Sequence, residues 1–299
     1  MTHKPHTLPR SALALALCLP LGLAHAQSGD DEADLSGKLL LTGGVSQVEG
    51  SAGGGLTPWA VIGGYGTRDQ IGANAFYTNV SVDDYTLDSY GVLVGFYDRV
   101  ELSFSRQEFD TEAVGGLLGL GNGFTFTQDT IGVKVKVAGD AVLEQDSWLP
   151  QISVGAQYKK NDQPGVLAFV GARDDSGVDY YVSATKLYLA QSLLLNGTVR
   201  FTKANQFGIL GFGGDRNDDY EAQFEASAAY LLSRNLAIGA EYRTKPDNLG
   251  IADEDDAWDV FVAWAPIKNV SLTVAYVDLG NIVIRDEQRG VYASLQVGF

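Results

Sequence analysis

Apolar and polar residues alternate with period two along almost the whole of this chain, in runs longer than a soluble sheet requires. VELSFS (100–105) sets Val100, Leu102 and Phe104 against Glu101, Ser103 and Ser105; GVKVKV (132–137) sets Val133, Val135 and Val137 against Lys134 and Lys136. EAQFEASAAY (221–230), NLAIGAEYR (235–243) and KNVSLTVAY (268–276) repeat the rhythm. Successive side chains of a strand point to opposite faces, so the pattern predicts strands with two chemically different surroundings. About fourteen segments carry it: 37–47, 56–66, 69–81, 86–98, 100–109, 124–138, 149–160, 178–189, 192–204, 220–232, 235–245, 256–266, 268–279 and 289–299. Most run to about 11 residues, the length a tilted strand needs to cross a bilayer, whereas soluble strands average about 5–6.

The connections alternate in length. Short turns fall at GTRD (66–69), YDRV (97–100), SRN (233–235) and PIKN (266–269). Longer ones fall at 48–55, 110–123, 161–177, 205–219 and 246–255, with GDAVLEQDSW (139–148) the exception to the order. Transmembrane barrels have this asymmetry, with tight periplasmic turns and long extracellular loops. The expected fold is all-β: a transmembrane antiparallel up-and-down β-barrel of about fourteen strands, with twelve as the alternative count. A soluble secreted β-sandwich also alternates, but the polar face here carries charge in strand after strand. Glu101, Lys134, Lys136, Arg200, Glu221, Glu225, Glu241, Arg243 and Asp259 are the candidates to line a wet lumen. Trp59, Tyr97, Tyr158, Tyr230, Trp258, Trp264 and Tyr276, near strand ends, fit interfacial girdles.

Residues 1–26 read as a Sec signal peptide. Lys4 and Arg10 precede the apolar SALALALCLPLGLA (11–24), and Ala24-His25-Ala26 offers a small-x-small cleavage site with a mature start at Gln27. Leu17 is too bulky for lipoprotein processing at Cys18. Residues 27–36 read as a short acidic periplasmic linker, leaving 37–299 for the barrel. All three histidines (His3, His6, His25), the one cysteine and the one methionine lie in the leader. The rest of the chain therefore excludes thiolate nucleophiles, disulfides, Ser-His pairs and His-ligated zinc or haem; no enzyme and no cofactor is expected.

The chain holds 21 basic and 37 acidic residues, and the leader removes only basic ones, so what remains repels nucleic-acid phosphates. Beyond the leader no apolar run is long enough for a transmembrane helix. The expected partners are outer-membrane lipid, lipopolysaccharide and, during biogenesis, the barrel assembly machinery; oligomeric state is left open.

The last segment, RGVYASLQVGF (289–299), is expected to close the barrel against the first strand near 37–45, leaving no exposed edge. Leu295, Val297 and Phe299 on its apolar face resemble the aromatic-ended signal by which outer-membrane barrels are recognised for assembly. EGSAGGGLTP (49–58) lacks the Gly-Lys-Ser/Thr ending of a phosphate-binding loop and reads as a mobile loop. The sequon Asn196-Gly197-Thr198 is incidental, being mid-strand. Asp215, Asn217, Asp219 and Glu221 share the 1-3-5-7 spacing of a calcium loop, but Tyr220 replaces its glycine and Ala226 its closing glutamate, so no metal is assigned. Acidic loops such as Asp253–Asp256 suggest at most divalent-cation bridging to lipopolysaccharide phosphates. Glu221 and Glu225, about 13 Å apart along one strand, are too distant for a glycosidase pair. Two loops, 112–124 and 205–214, are apolar and glycine-rich; each must pack against something, either inside the barrel as a constriction or along its rim.

LLLTGGVSQVEG (39–50), GGGLTPWAVIGGYGTRDQIGANAFYT (53–78), GDAVLEQDSWLPQI (139–152), TVRFTKANQFGILGFGGDR (198–216), EYRTKPDNLG (241–250) and AWAPIKNVSLTVAYVDLGNI (263–282) together resemble an uncharacterised family of proteobacterial outer-membrane proteins, the domain-of-unknown-function family numbered 3034. The resemblance covers nearly the whole chain after the leader. It implies an outer-membrane, porin-like barrel, but no activity and no functional residue. The expected function is a passive channel for small solutes; the alternative is a non-conducting structural or surface-interaction barrel acting through its extracellular loops.

Overall fold

The computed structural model describes residues 38–43 and 45–299; the signal peptide and acidic linker lie outside the described residues. Twelve antiparallel strands close into a barrel: β1 (Ile71–Val82), β2 (Thr86–Phe96), β3 (Val100–Asp110), β4 (Thr125–Ala138), β5 (Gln151–Asn161), β6 (Ser176–Tyr188), β7 (Leu193–Thr202), β8 (Glu221–Ser233), β9 (Leu236–Arg243), β10 (Ala257–Ile267), β11 (Val270–Asp278) and β12 (Arg289–Gly298). Each pairs with its neighbours in sequence, and β12 returns to β1 with Tyr77 opposite Leu295 and Val80 opposite Tyr292. Every strand therefore has two partners, and no row of backbone groups is left unpaired toward lipid.

The alternation in sequence becomes the two faces of this wall. Leu102, Phe104, Ile131, Val182, Phe224, Val260, Val274 and Leu295 project outward. Tyr158, Tyr230, Trp258, Trp264 and Tyr276 stand on the same face near strand ends. An apolar outer belt edged by aromatics on a closed strand barrel is the outer-membrane solution, in which strands cross the bilayer; among the described residues no helix is long and apolar enough to do so. One barrel end carries the connections 97–99, 139–150, 189–192, 234–235 and 268–269. The other carries 111–124, 162–175, 203–220, 244–256 and 279–288, with 83–85 its one tight turn. Short helices sit in two of these loops, α1 (Glu112–Leu117) and α2 (Pro164–Phe169).

The strand count is thus twelve, the alternative count and not the first choice of fourteen, because the two segments expected first, 37–47 and 56–66, are not in the wall. The wall starts at Ile71, and β12 closes on β1 rather than on residues 37–45. A wall strand needs one row of side chains in lipid, yet residues 45–66 are buried throughout. Gly50, Gly53, Gly54, Gly55, Gly63 and Gly64 deny this stretch the bulky outer row that lipid contact demands. It lies inside the barrel instead. The glycine-rich run 49–58, expected as a mobile loop, is buried there too, and Trp59 is no girdle residue: its indole donates to Ser227 Oγ at 3.0 Å.

Candidate functional site

The internal segment enters from the short-turn end. Lys38 bonds the Ile62 carbonyl at 2.6 Å and pairs with Asp98 at 2.8 Å. The chain then rises to a turn at Gln47–Gly50, folds back through bridges at Ser46–Ala52 and Gly53–Pro58, and leaves by the same end, where the Tyr65 amide donates to the Phe299 carbonyl at 2.8 Å. Gly50 supplies the left-handed backbone of the apex (φ 94°). Glycine also sets how closely the plug can lie on the wall: a Cβ on Gly54 would stand 1.8 Å from Glu241 Oε1.

Three groups of charged wall residues grip the plug. The first surrounds Glu49, the one charged residue between 45 and 66. Its carboxylate meets Lys159 Nζ in a short bond, Arg243 Nη1 and Nη2 at 3.0 and 3.2 Å, and Arg200 Nη2 at 3.7 Å. Lys159 and Arg200 also pair with Asp179 at 2.7 and 3.3 Å, and Arg200 with Glu225 at 2.5 Å. Burial alone would raise the Glu49 pKa, but Arg243, Lys159 and Arg200 outweigh it and hold the carboxyl well below the usual range.

In the second group, Glu101 on β3 and Lys134 on β4 sit directly opposite one another, 3.1 Å apart and each 1 % exposed. Glu101 accepts from Ser51 Oγ at 3.0 Å, the Ala52 amide at 3.0 Å and the Gly63 amide at 2.8 Å. Lys134 donates to the Ala52 and Val61 carbonyls, both at 2.9 Å. One ion pair thus clamps both legs of the plug. The third group is Glu241, which accepts from the Leu56 amide, Thr57 Oγ1 and Ser227 Oγ at 2.7, 2.7 and 2.8 Å. Asp259 lies opposite it on β10, buried.

A loop closes the lumen from the other end. In 205–214, Phe207 lays its ring 4.0 Å from the Arg243 guanidinium, and its carbonyl accepts from Lys159 at 3.0 Å. Gln206 is held by Glu254 and the Asn281 carbonyl, both at 2.5 Å. Lys245 and Glu254, 3.1 Å apart and buried, tie this cap to the neighbouring loops. The other apolar loop stays at the rim, where Val114 of α1 is buried and Leu117 is 67 % exposed. Among the described residues, apolar voids in the lumen include one between Val45, Trp59, Leu194 and Phe261 and one between Val48, Phe109, Phe207 and Ile282; each holds about 30 Å³. That is about the volume of one water molecule.

The lumen candidates therefore fall in distinct places. Glu101, Lys134, Arg200, Glu225, Glu241, Arg243 and Asp259 point inward and are buried. Lys136 is at the short-turn rim, 2.7 Å from Asp98, and Glu221 at the long-loop end of β8, bonded by Asn217 at 2.7 Å. Rather than facing open water across a pore, the inward charges meet each other and the plug. Glu49, Lys159 and Asp179 were missed. Period two assigns Lys159 inward and Lys160 outward, but Glu49 carries no such signal, since it belongs to no wall strand. Of the calcium-spaced residues, Asp215 accepts from the Gly250 amide and Asn217 turns to Glu221; among the described residues no group of three or more acidic, His or Cys side chains could hold a metal. Leu295 and Val297 face outward on β12, and Phe299 follows it, 66 % exposed.

Solved structures similar to this chain include a KdgM porin (11 % identity, 76 % of this chain and 99 % of that one, TM-score 0.49). Omp33 of Acinetobacter baumannii matches at 7 % identity over 78 % of this chain and 100 % of that one, with a TM-score of 0.46. Outer membrane phospholipase A from Escherichia coli matches at 12 % identity over 75 % and 89 %, with a TM-score of 0.42. No curated protein matches. Residues 42–296, plug and barrel wall together, match the family of proteins of unknown function DUF3034, and the chain belongs to that family.

Proposed function

We propose that this protein is an outer-membrane channel that is closed at rest by residues 45–66 and passes small solutes by diffusion once that plug yields. The observation that carries the reading is how the plug is held. Its contacts with Glu101, Lys134, Lys159, Arg243 and Glu241 are hydrogen bonds and ion pairs, which water can replace when the segment moves. A filler evolved only to stabilise the wall would do better with apolar side chains, since buried ion pairs add little net stability. The lumen also retains buried polar atoms without partners, among them both side-chain polar atoms of Gln47, Thr130 Oγ1 and Asp259 Oδ1, as expected of a surface that meets water in another state.

In this reading residues 1–26 are a Sec signal, Leu295, Val297 and Phe299 serve assembly, and no residue is assigned a catalytic role. Planar-bilayer recording tests it. The full barrel should conduct rarely, and a barrel lacking residues 38–66 should conduct far more often, closing only when the Phe207 cap does. A truncated barrel that assembles and never conducts would sink the proposal. It would favour the second reading, a non-conducting barrel working through its loops, to which the Phe207 cap and the water-sized voids lend support.

A further inference from the structure

Glu49 sits in its pocket as a free carboxylate would. Three cations from three strands, Lys159, Arg200 and Arg243, converge on one carboxyl group, and all are 3 % exposed or less. Arg243 presents two nitrogens to it, the fork geometry that selects carboxylates over spherical anions. The wall at this level carries these three positive charges against Asp179 and Glu225, an excess of one positive charge that Glu49 completes. Arg200 Nη2 is buried without a hydrogen-bond partner beside Glu49 Oε2, so the pocket keeps a donor that its present occupant does not use.

From these features we propose that Lys159, Arg200 and Arg243 form a binding site for the carboxylate of a small anionic solute, occupied in the closed state by Glu49 as an internal substitute. The inference rests on the plugged-channel reading and names its solute class. A solute bearing a carboxylate would compete with Glu49 for the same donors, so that binding and plug release are one exchange. Access is from the long-loop end, beneath Phe207. Gln206 and Phe207 of the cap hold left-handed backbone (φ 44° and 61°), which non-glycine residues adopt at a cost that an opened cap would relieve.

The test uses the full chain carrying Glu49→Ala and compares sodium acetate with sodium chloride at equal ionic strength. Acetate should raise the temperature of the heat-induced gel-mobility shift by roughly 2–4 °C, leave the wild type unmoved, and lose its effect in the Glu49→Ala/Arg243→Gln double variant. Equal effects of acetate and chloride would overturn the proposal, as would an acetate effect that survives the loss of Arg243. If Glu49→Ala fails to assemble, Glu49→Ser, which also vacates the carboxylate's place between Lys159, Arg200 and Arg243, carries the same comparison, and the lack of an acetate-specific shift there is equally decisive. This readout needs no current. A truncated barrel that conducts while acetate does nothing removes the carboxylate site and leaves the channel; the reverse pair of results does the opposite.

Discussion

Replacing Lys134 by methionine should open the barrel. The side chain is 1 % exposed and joins Glu101 to the Ala52 and Val61 carbonyls. Methionine fills much of the same space, so the loss is mainly electrostatic: a buried carboxylate loses its counter-charge and two plug carbonyls lose a donor. Removing one member of a buried pair costs about 3–5 kcal/mol. The wall is a closed ring of paired strands and cannot relax to solvate Glu101, whereas the plug can move aside and admit water. The cost therefore falls on the closed state. At about 1.4 kcal/mol per tenfold, it shifts the closed-to-open ratio by between about 100-fold and about 4,000-fold. Single-channel recording of wild-type, K134M and E101Q/K134M forms reads that ratio as open probability. The double variant should move part of the way back toward the wild type, because the uncompensated charge is gone and only the donors to the Ala52 and Val61 carbonyls are still missing. A K134M barrel of normal assembly yield that opens no more often than the wild type would refute this reasoning. So would a double variant as open as the single one.

Three further outcomes follow from the same contacts. Gly54→Val cannot be seated, given 1.8 Å from its Cβ to Glu241 Oε1; a cysteine at Ala52, buried in the wild type, should become reactive to a membrane-impermeant maleimide in this variant, a clean readout because the only native cysteine is Cys18. Acid should not unlatch Glu49. Its depressed pKa means that its contribution is present above the ordinary carboxylate range and lost only as pH falls through the lower folded value, so open probability due to this latch should stay flat from about pH 7 to about pH 4; a rise with a midpoint in the ordinary glutamate range would contradict the assignment. Deleting Phe299 should lower the yield of heat-modifiable barrel in cells more than it lowers the transition temperature of what assembles, although it also removes the bonds to Ala73 and Tyr65; normal yield would count against an assembly role.

The wall was legible from sequence because each strand stands between two solvents. Val100, Leu102 and Phe104 must meet lipid while Glu101, Ser103 and Ser105 must not, and the period-two pattern records that difference directly. The plug was not legible, because a segment enclosed on all sides answers to no such contrast. LLLTGGVSQV and TPWAVIGGY happen to alternate, and the rhythm placed them in the wall. Two signs pointed elsewhere: the density of glycine, and the lack between 45 and 66 of any charged residue but Glu49 where many wall strands carry several. Period two assigns a charged residue to one face of its strand, but it does not say which partner that residue meets. Register brings Glu101 opposite Lys134 and Arg243 opposite Glu225, but which of them would meet Glu49 depends on where a chain segment some hundred and more residues away comes to rest.

Because the plug enters and leaves by the same rim, it is a loop pushed into a tube, not a thread drawn through one. No strand has to pass through the ring to place it, and among the described residues there is no knot to tie or untie. Biogenesis can therefore run in either order: β12 can meet β1 first and the loop dock afterwards, or the sheet can curl around a loop already in place. The same topology makes docking reversible within a finished barrel, so an event that frees the loop need not disturb a single strand pairing.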